Sequence, residues 1–103
     1  MGPWLVSADE IDLADTSVRC WVNGELRQDA NTKALIFDVP TLIETLSKGL
    51  TLLPGDIIAT GTPAGVGIGF NPPKYLRAGD VVRIEIAGIG VLENPVAAFR
   101  EAA

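Results

Sequence analysis

At 103 residues the chain is long enough for one small domain and too short for two. Its formal net charge of −5 argues against nucleic acid or a membrane surface as partner, and its apolar runs fall far short of a bilayer span. With 48% hydrophobic and only 20% charged residues, so small a chain has much apolar surface to cover, so a face that buries against another chain is expected.

The segment Met1-Gly2-Pro3-Trp4-Leu5-Val6 has no polar lead-in and no basic-then-apolar leader pattern, so its first residue is expected to sit in structure. Cys20 stands alone, which excludes an internal disulfide and suits a reducing compartment; a cytoplasmic location is the expectation. Asp9, Glu10, Asp12 and Asp15 place four carboxylates close together. Clustered oxygens can hold Mg²⁺ or Ca²⁺, but the alternate ligands, central glycine and distal glutamate of a calcium loop are missing. A solvated turn ahead of a strand is the expected role.

Ser17 to Val22 alternates, with Val18, Cys20 and Val22 on one face and Arg19 and Trp21 on the other. Asn23-Gly24 tolerates positive φ at both positions and predicts a two-residue hairpin turn, from which Glu25 to Asp29 returns as a second strand. Cys20 is assigned to the core, since the chain has no histidine to activate it. Asn31-Thr32 could reach a ligand, with a turn as the default. A helix opens at Asp38-Val39-Pro40 and ends near Gly49. Val39, Leu42, Ile43, Leu46 and Leu50 recur at helical spacing and predict packing on the sheet.

The centre of the chain runs from Leu53 to Gly69. Pro54-Gly55-Asp56 is a turn, and Ile57-Ile58-Ala59 reads as a buried strand. Thr60-Gly61-Thr62-Pro63-Ala64-Gly65-Val66-Gly67 then offers two hydroxyls, free N–H groups and close backbone approach, which is the chemistry of an anion cradle. A tight turn at a sheet corner is the competing reading. A P-loop is excluded because the Gly-Lys-Ser/Thr ending is missing, and a dinucleotide fingerprint by the wrong glycine spacing. Asn71-Pro72-Pro73 is irregular; Gly79-Asp80 is a turn. Val81 to Ile86 and Val91 to Val96 pair around Gly88-Ile89-Gly90, and Ala97 to Ala103 is a short tail that could be helical. One unit of about six strands and one helix is expected: mainly β with one helix, in the α+β class.

Gly55-Asp56-Ile57-Ile58-Ala59-Thr60-Gly61-Thr62-Pro63-Ala64-Gly65-Val66-Gly67, followed by Leu76-x-x-Gly79-Asp80-Val81-Val82 and Ile84-Glu85-Ile86-x-Gly88-Ile89-Gly90, resembles the fumarylacetoacetate hydrolase superfamily. Gly2-Pro3-Trp4, Asp9-Glu10-Ile11, Trp21-Val22-Asn23-Gly24 and Gln28-Asp29-x-Asn31-Thr32 extend the likeness over nearly the whole chain. It spans only the C-terminal half of that family's catalytic domain. The resemblance implies the C-terminal part of a mixed β-roll, within a single domain over residues 1–103. It also implies an ancestral metal-dependent hydrolysis, decarboxylation or isomerisation of small acylpyruvate-type keto acids.

In that family Mg²⁺, Mn²⁺ or Ca²⁺ is held by a Glu-x-Glu pair and an aspartate, and a lysine ahead of Gly-Pro-Trp assists. No Glu-x-Glu occurs here, and Lys33, Lys48 and Lys74 stand outside the required context. No catalytic residue and no metal ligand is therefore carried over, and no cofactor is expected on the isolated chain. What carries over is a substrate-carboxylate loop: Thr62 by its hydroxyl, with Thr60, Gly61 and Pro63 beside it. Three expectations follow: a catalytically silent half-domain that forms a homo-oligomer, one subunit of a split enzyme completed by a chain carrying Glu-x-Glu, or a module that binds another anion.

Overall fold

The computed structural model describes residues 1–100. Alternating residues fold into four strands, β1 (Ser17–Val22), β2 (Glu25–Asn31), β3 (Val81–Ile86) and β4 (Gly90–Pro95). They form one antiparallel sheet in the order β2-β1-β3-β4. The β1–β2 turn is set by Asn23 at φ 51 and Gly24 at φ 78, the pair of positive dihedrals that matches the twist of a hairpin. In the sheet Val18, Cys20 and Val22 face Ile86, Ile84 and Val82 across the β1–β3 ladder, as the alternation predicts.

β2 departs from strict alternation. Its register against β1 shifts between Cys20 and Trp21, so that Gln28 lies opposite Cys20, Leu26 lies opposite Trp21, and Arg27 between them is the extra residue of a bulge.

α1 (Val39–Gly49) forms where the spacing places it. Asp38 caps it by accepting from the Thr41 N–H at 2.8 Å, and Pro40 sits in the first turn, where no N–H is needed. Helix and sheet do not come together as expected, however. α1 makes almost no contact with the strands, and Ile43 on its apolar side is 45% exposed. An open groove of ≈ 910 Å³, lined by Ile11, Leu13, Leu35, Val39 and Ile43, separates the helix from the turn before β1.

The expected six strands are also too many. Ile57-Ile58-Ala59 forms no strand: Ile57 is 70% exposed, and no strand of the sheet lies beside it to receive its backbone bonds. Residues 97–100 of the tail are not helical, and 101–103 lie outside the described residues. The core is correspondingly thin. Among the described residues only Val22 and Thr16 are buried, while Trp4, Leu5, Ile36 and Phe37 stand exposed. Thr16 is held by the Thr32 hydroxyl, which accepts from its N–H at 2.8 Å, and its own carbonyl accepts from the Thr32 N–H at 2.9 Å.

Candidate functional site

The glycine-rich segment reaches the sheet at its edge, against the bulge of β2. Gly65, at φ 108, passes so close to β2 that a Cβ on it would fall 1.8 Å from the Arg27 carbonyl oxygen. Only a residue without a side chain can make that approach. A few residues on, the Lys74 N–H donates to the Gly67 carbonyl at 2.9 Å, folding the segment back on itself.

Thr62 and Pro63 come together at this crossing. Gln28 of β2 donates from Nε2 to Thr62 Oγ1 at 2.8 Å and to the Pro63 carbonyl at 3.0 Å. Pro63 is half-buried; Thr60, Gly61 and Thr62 are exposed. Gly61 turns the chain at φ 96 with open space beside it. The N–H groups of Thr60, Gly61, Thr62, Ala64 and Gly65 donate to no acceptor among the described residues. The loop thus presents a hydroxyl and a run of free donors, which is what an anion needs.

A cationic brace stands beside it. Phe70 is faced by two cations, the Arg27 guanidinium 5.2 Å from the ring centre and the Lys74 ammonium 4.7 Å from it. Glu25 accepts from Lys74 Nζ at 2.7 Å, and that bond, with Arg27 nearby, holds its carboxyl below the usual carboxylate range. This brace ties the end of the loop to the β1–β2 hairpin. Sequence reasoning missed Arg27, Phe70 and Lys74 in this role, and missed Gln28 as the partner of Thr62. No sequence signal marks Gln28, because the bulge at Arg27 that brings it opposite Cys20 arises only in the pairing with β1.

The remaining polar candidates are occupied within the fold. Asn31 accepts from the Lys33 N–H and donates to Asp15, so its amide is spent on a turn. In the acidic run Asp12 accepts from the Ala14 N–H and Glu10 accepts from the Ser7 hydroxyl. These are turn-stabilising bonds, as expected of a solvated turn. Burial pushes the Cys20 thiol up, away from nucleophilic chemistry. Lys48 pairs with Glu44 and Lys33 with Asp15. Among the described residues no three His, Cys, Asp or Glu side chains converge to hold a metal ion. Among the described residues no helix is long and apolar enough to cross a membrane.

Comparison with known proteins gives a consistent picture. Residues 1–97 match the family profile described as fumarylacetoacetate (FAA) hydrolase C-terminal. The chain is 56% identical over 97 residues to the oxaloacetate tautomerase YisK of Bacillus subtilis, a match covering 93% of this chain and 32% of that protein. Among solved structures it superimposes on the fumarylacetoacetate hydrolase of psychrophilic Exiguobacterium antarcticum with a TM-score of 0.92 and 53% identity, over 95% of this chain and 35% of that one. It superimposes on the maleylpyruvate hydrolase of Sphingobium sp. SYK-6, in complex with manganese(II) and pyruvate, with a TM-score of 0.83 and 46% identity, over 93% and 34%. The chain spans about a third of the length of the relatives it matches. It belongs to the fumarylacetoacetate hydrolase family and corresponds to the C-terminal half of that family's catalytic domain.

Proposed function

We propose that this chain is a fumarylacetoacetate hydrolase-type half-domain that presents the carboxylate-binding loop of a keto-acid site and is catalytically silent alone. The observation that carries the reading is the loop itself: an exposed Thr62 hydroxyl and unspent N–H groups from Thr60 to Gly65, held against β2. Five unspent donors along one short loop, beside a hydroxyl, suit a carboxylate better than a neutral ligand. A relative at 46% identity is in complex with pyruvate, a 2-keto carboxylate, which supports the same ligand class here. Relatives named as an oxaloacetate tautomerase and a maleylpyruvate hydrolase support small keto acids as the ancestral substrates.

The chemical step is left to groups this chain does not carry. It has no Glu-x-Glu, and among the described residues no three His, Cys, Asp or Glu side chains gather, which supports a site completed by another polypeptide. The exposed apolar side chains and the open outer edge of β4 favour cover by another polypeptide. In the absence of a complementary chain, further copies of this one are the simplest cover.

The test is oxaloacetate tautomerisation in the presence of Mg²⁺ or Mn²⁺, with the chain alone and mixed with the first two thirds of the Bacillus subtilis relative. No turnover alone and turnover on mixing is the expected result. Metal-dependent turnover by the chain alone would overturn the silent half-domain, and no gain on mixing would remove its loop from the site.

A further inference from the structure

We infer that Gln28 is the positioning residue of the loop: it orients the Thr62 hydroxyl as a hydrogen-bond donor, so that the site favours an acceptor oxygen such as a carboxylate's. The inference rests on the reading of Thr60–Gly65 as a carboxylate loop and adds how that loop chooses its ligand.

The Pro63 carbonyl decides the orientation of the Gln28 amide. A carbonyl can only accept, and at 3.0 Å the group facing it must be the NH₂; the flipped amide would press two acceptors together. The same nitrogen lies 2.8 Å from Thr62 Oγ1. An amide nitrogen donates and has no lone pair to offer, so Thr62 Oγ1 must be the acceptor of that bond. Both amide hydrogens are then spent. A free threonine hydroxyl rotates and can donate or accept as the ligand requires. Here one of its two lone pairs is engaged by Gln28, which turns its one proton away from the amide and toward an incoming acceptor. The Gly65 backbone passes close against the Gln28 side chain, and the register of Gln28 opposite Cys20 follows from the Arg27 bulge.

Two near-isosteric variants separate this role from simple support. In Gln28→Glu the carboxylate only accepts: it takes the Thr62 proton, repels the Pro63 carbonyl and puts a negative charge beside the ligand. Pyruvate affinity should fall by about tenfold or more near neutral pH. As pH drops and the new carboxyl protonates, it regains a donor and affinity returns. In Gln28→Met no donor exists at any pH, so the loss is smaller, a few-fold, and does not change with pH. The charged groups around Gln28 are Glu25, Arg27, Lys74 and the thiol of Cys20. Lys74 holds the Glu25 carboxyl below the usual carboxylate range and burial pushes the Cys20 thiol up, so a profile run from about pH 7 to pH 4 reaches the range in which the new carboxyl protonates.

The experiment is a pyruvate titration of the wild type, Gln28→Glu and Gln28→Met across that range, followed by NMR. It is paired with ligand-free spectra of the Gln28 side-chain amide in the wild type and in Thr62→Val. The expected results are recovery on acidification in Gln28→Glu alone, and displacement of one of the two Gln28 amide protons in Thr62→Val. Identical, pH-independent losses in both Gln28 variants would overturn the proposal, as would Gln28 amide protons that ignore Thr62→Val. If the wild type fails to bind pyruvate, the carboxylate reading falls, and the ligand-free spectra still decide whether Gln28 fixes Thr62.

Discussion

Gly65 carries more of the site's geometry than either threonine. Its Cβ position is filled by the Arg27 carbonyl at 1.8 Å, and its φ of 108 lies where side chains are strained. Gly61 shares the strained backbone, at φ 96, but has no neighbour within 4 Å of its Cβ position. The two glycines therefore separate backbone strain from close approach. Gly61→Ala should cost about 1–2 kcal/mol, the strain alone. Gly65→Ala should cost about 1–3 kcal/mol more or lift the loop off β2, breaking the Gln28–Thr62 bond. Urea denaturation with the Gln28 side-chain amide as a local probe measures both. Equal costs with the amide unmoved would mean that the crossing of loop and strand does not depend on the missing side chain of Gly65.

Local structure was legible in the sequence wherever the cause was local. Asn23-Gly24 announces its hairpin because only residues tolerant of positive φ can make that turn, and the alternation of β1 and β3 names the faces they present. Asp38, Pro40 and Gly49 bound α1 for equally local reasons. Contacts between distant segments were not legible. The bulge at Arg27 shows only in pairing with β1, and Gln28 meets Thr62 across 34 residues of chain. Ile57-Ile58-Ala59 has the composition of a strand and no strand to lie against, because pairing depends on a neighbour that its own residues do not encode. At this scale the hairpin turn is latched to the start of β3. Asn23 Nδ2 donates to Asp80 at 2.8 Å, Asn23 Oδ1 accepts from the Val81 N–H at 2.9 Å, and Asp80 also accepts from the Arg77 N–H at 2.8 Å. Those bonds hold the Asp80 carboxyl low, as the Thr41 bond holds Asp38 and the Lys74 bond holds Glu25. Each carboxyl binds its proton more weakly folded than unfolded, so its contribution is complete above the unfolded value and lost as pH falls through the folded one. The urea midpoint should stay level above about pH 5 and fall below about pH 4, and Asp80→Asn should flatten that fall. An acid limb unchanged by Asp80→Asn would show that the latch does not depend on its charge.

The whole molecule exposes more surface than a finished domain of its size. Its accessible area is 8163 Å², where a compact 10.8 kDa monomer exposes about 5,500 Å². Its radius of gyration is 16.0 Å against about 13 Å for a compact chain of this length. The excess, about 2,600 Å² on this one chain, is of the size that permanent protein–protein interfaces bury. Leu53, Ile57 and Trp4 are 63%, 70% and 71% exposed. Large apolar side chains left so open favour cover in water, which leads to the last expectation: at tens of micromolar the purified chain sediments as a dimer or larger species. Its thermal midpoint should rise with concentration, because association stabilises the folded form by mass action. Ile57→Lys is the informative variant. Ile57 belongs to no strand of the sheet, so the substitution should change the urea stability of a monomer by no more than about 0.5 kcal/mol while weakening association. A wild type that remains monomeric, with a midpoint independent of concentration, would mean that the exposed face is tolerated in water and that no second chain is required to cover it.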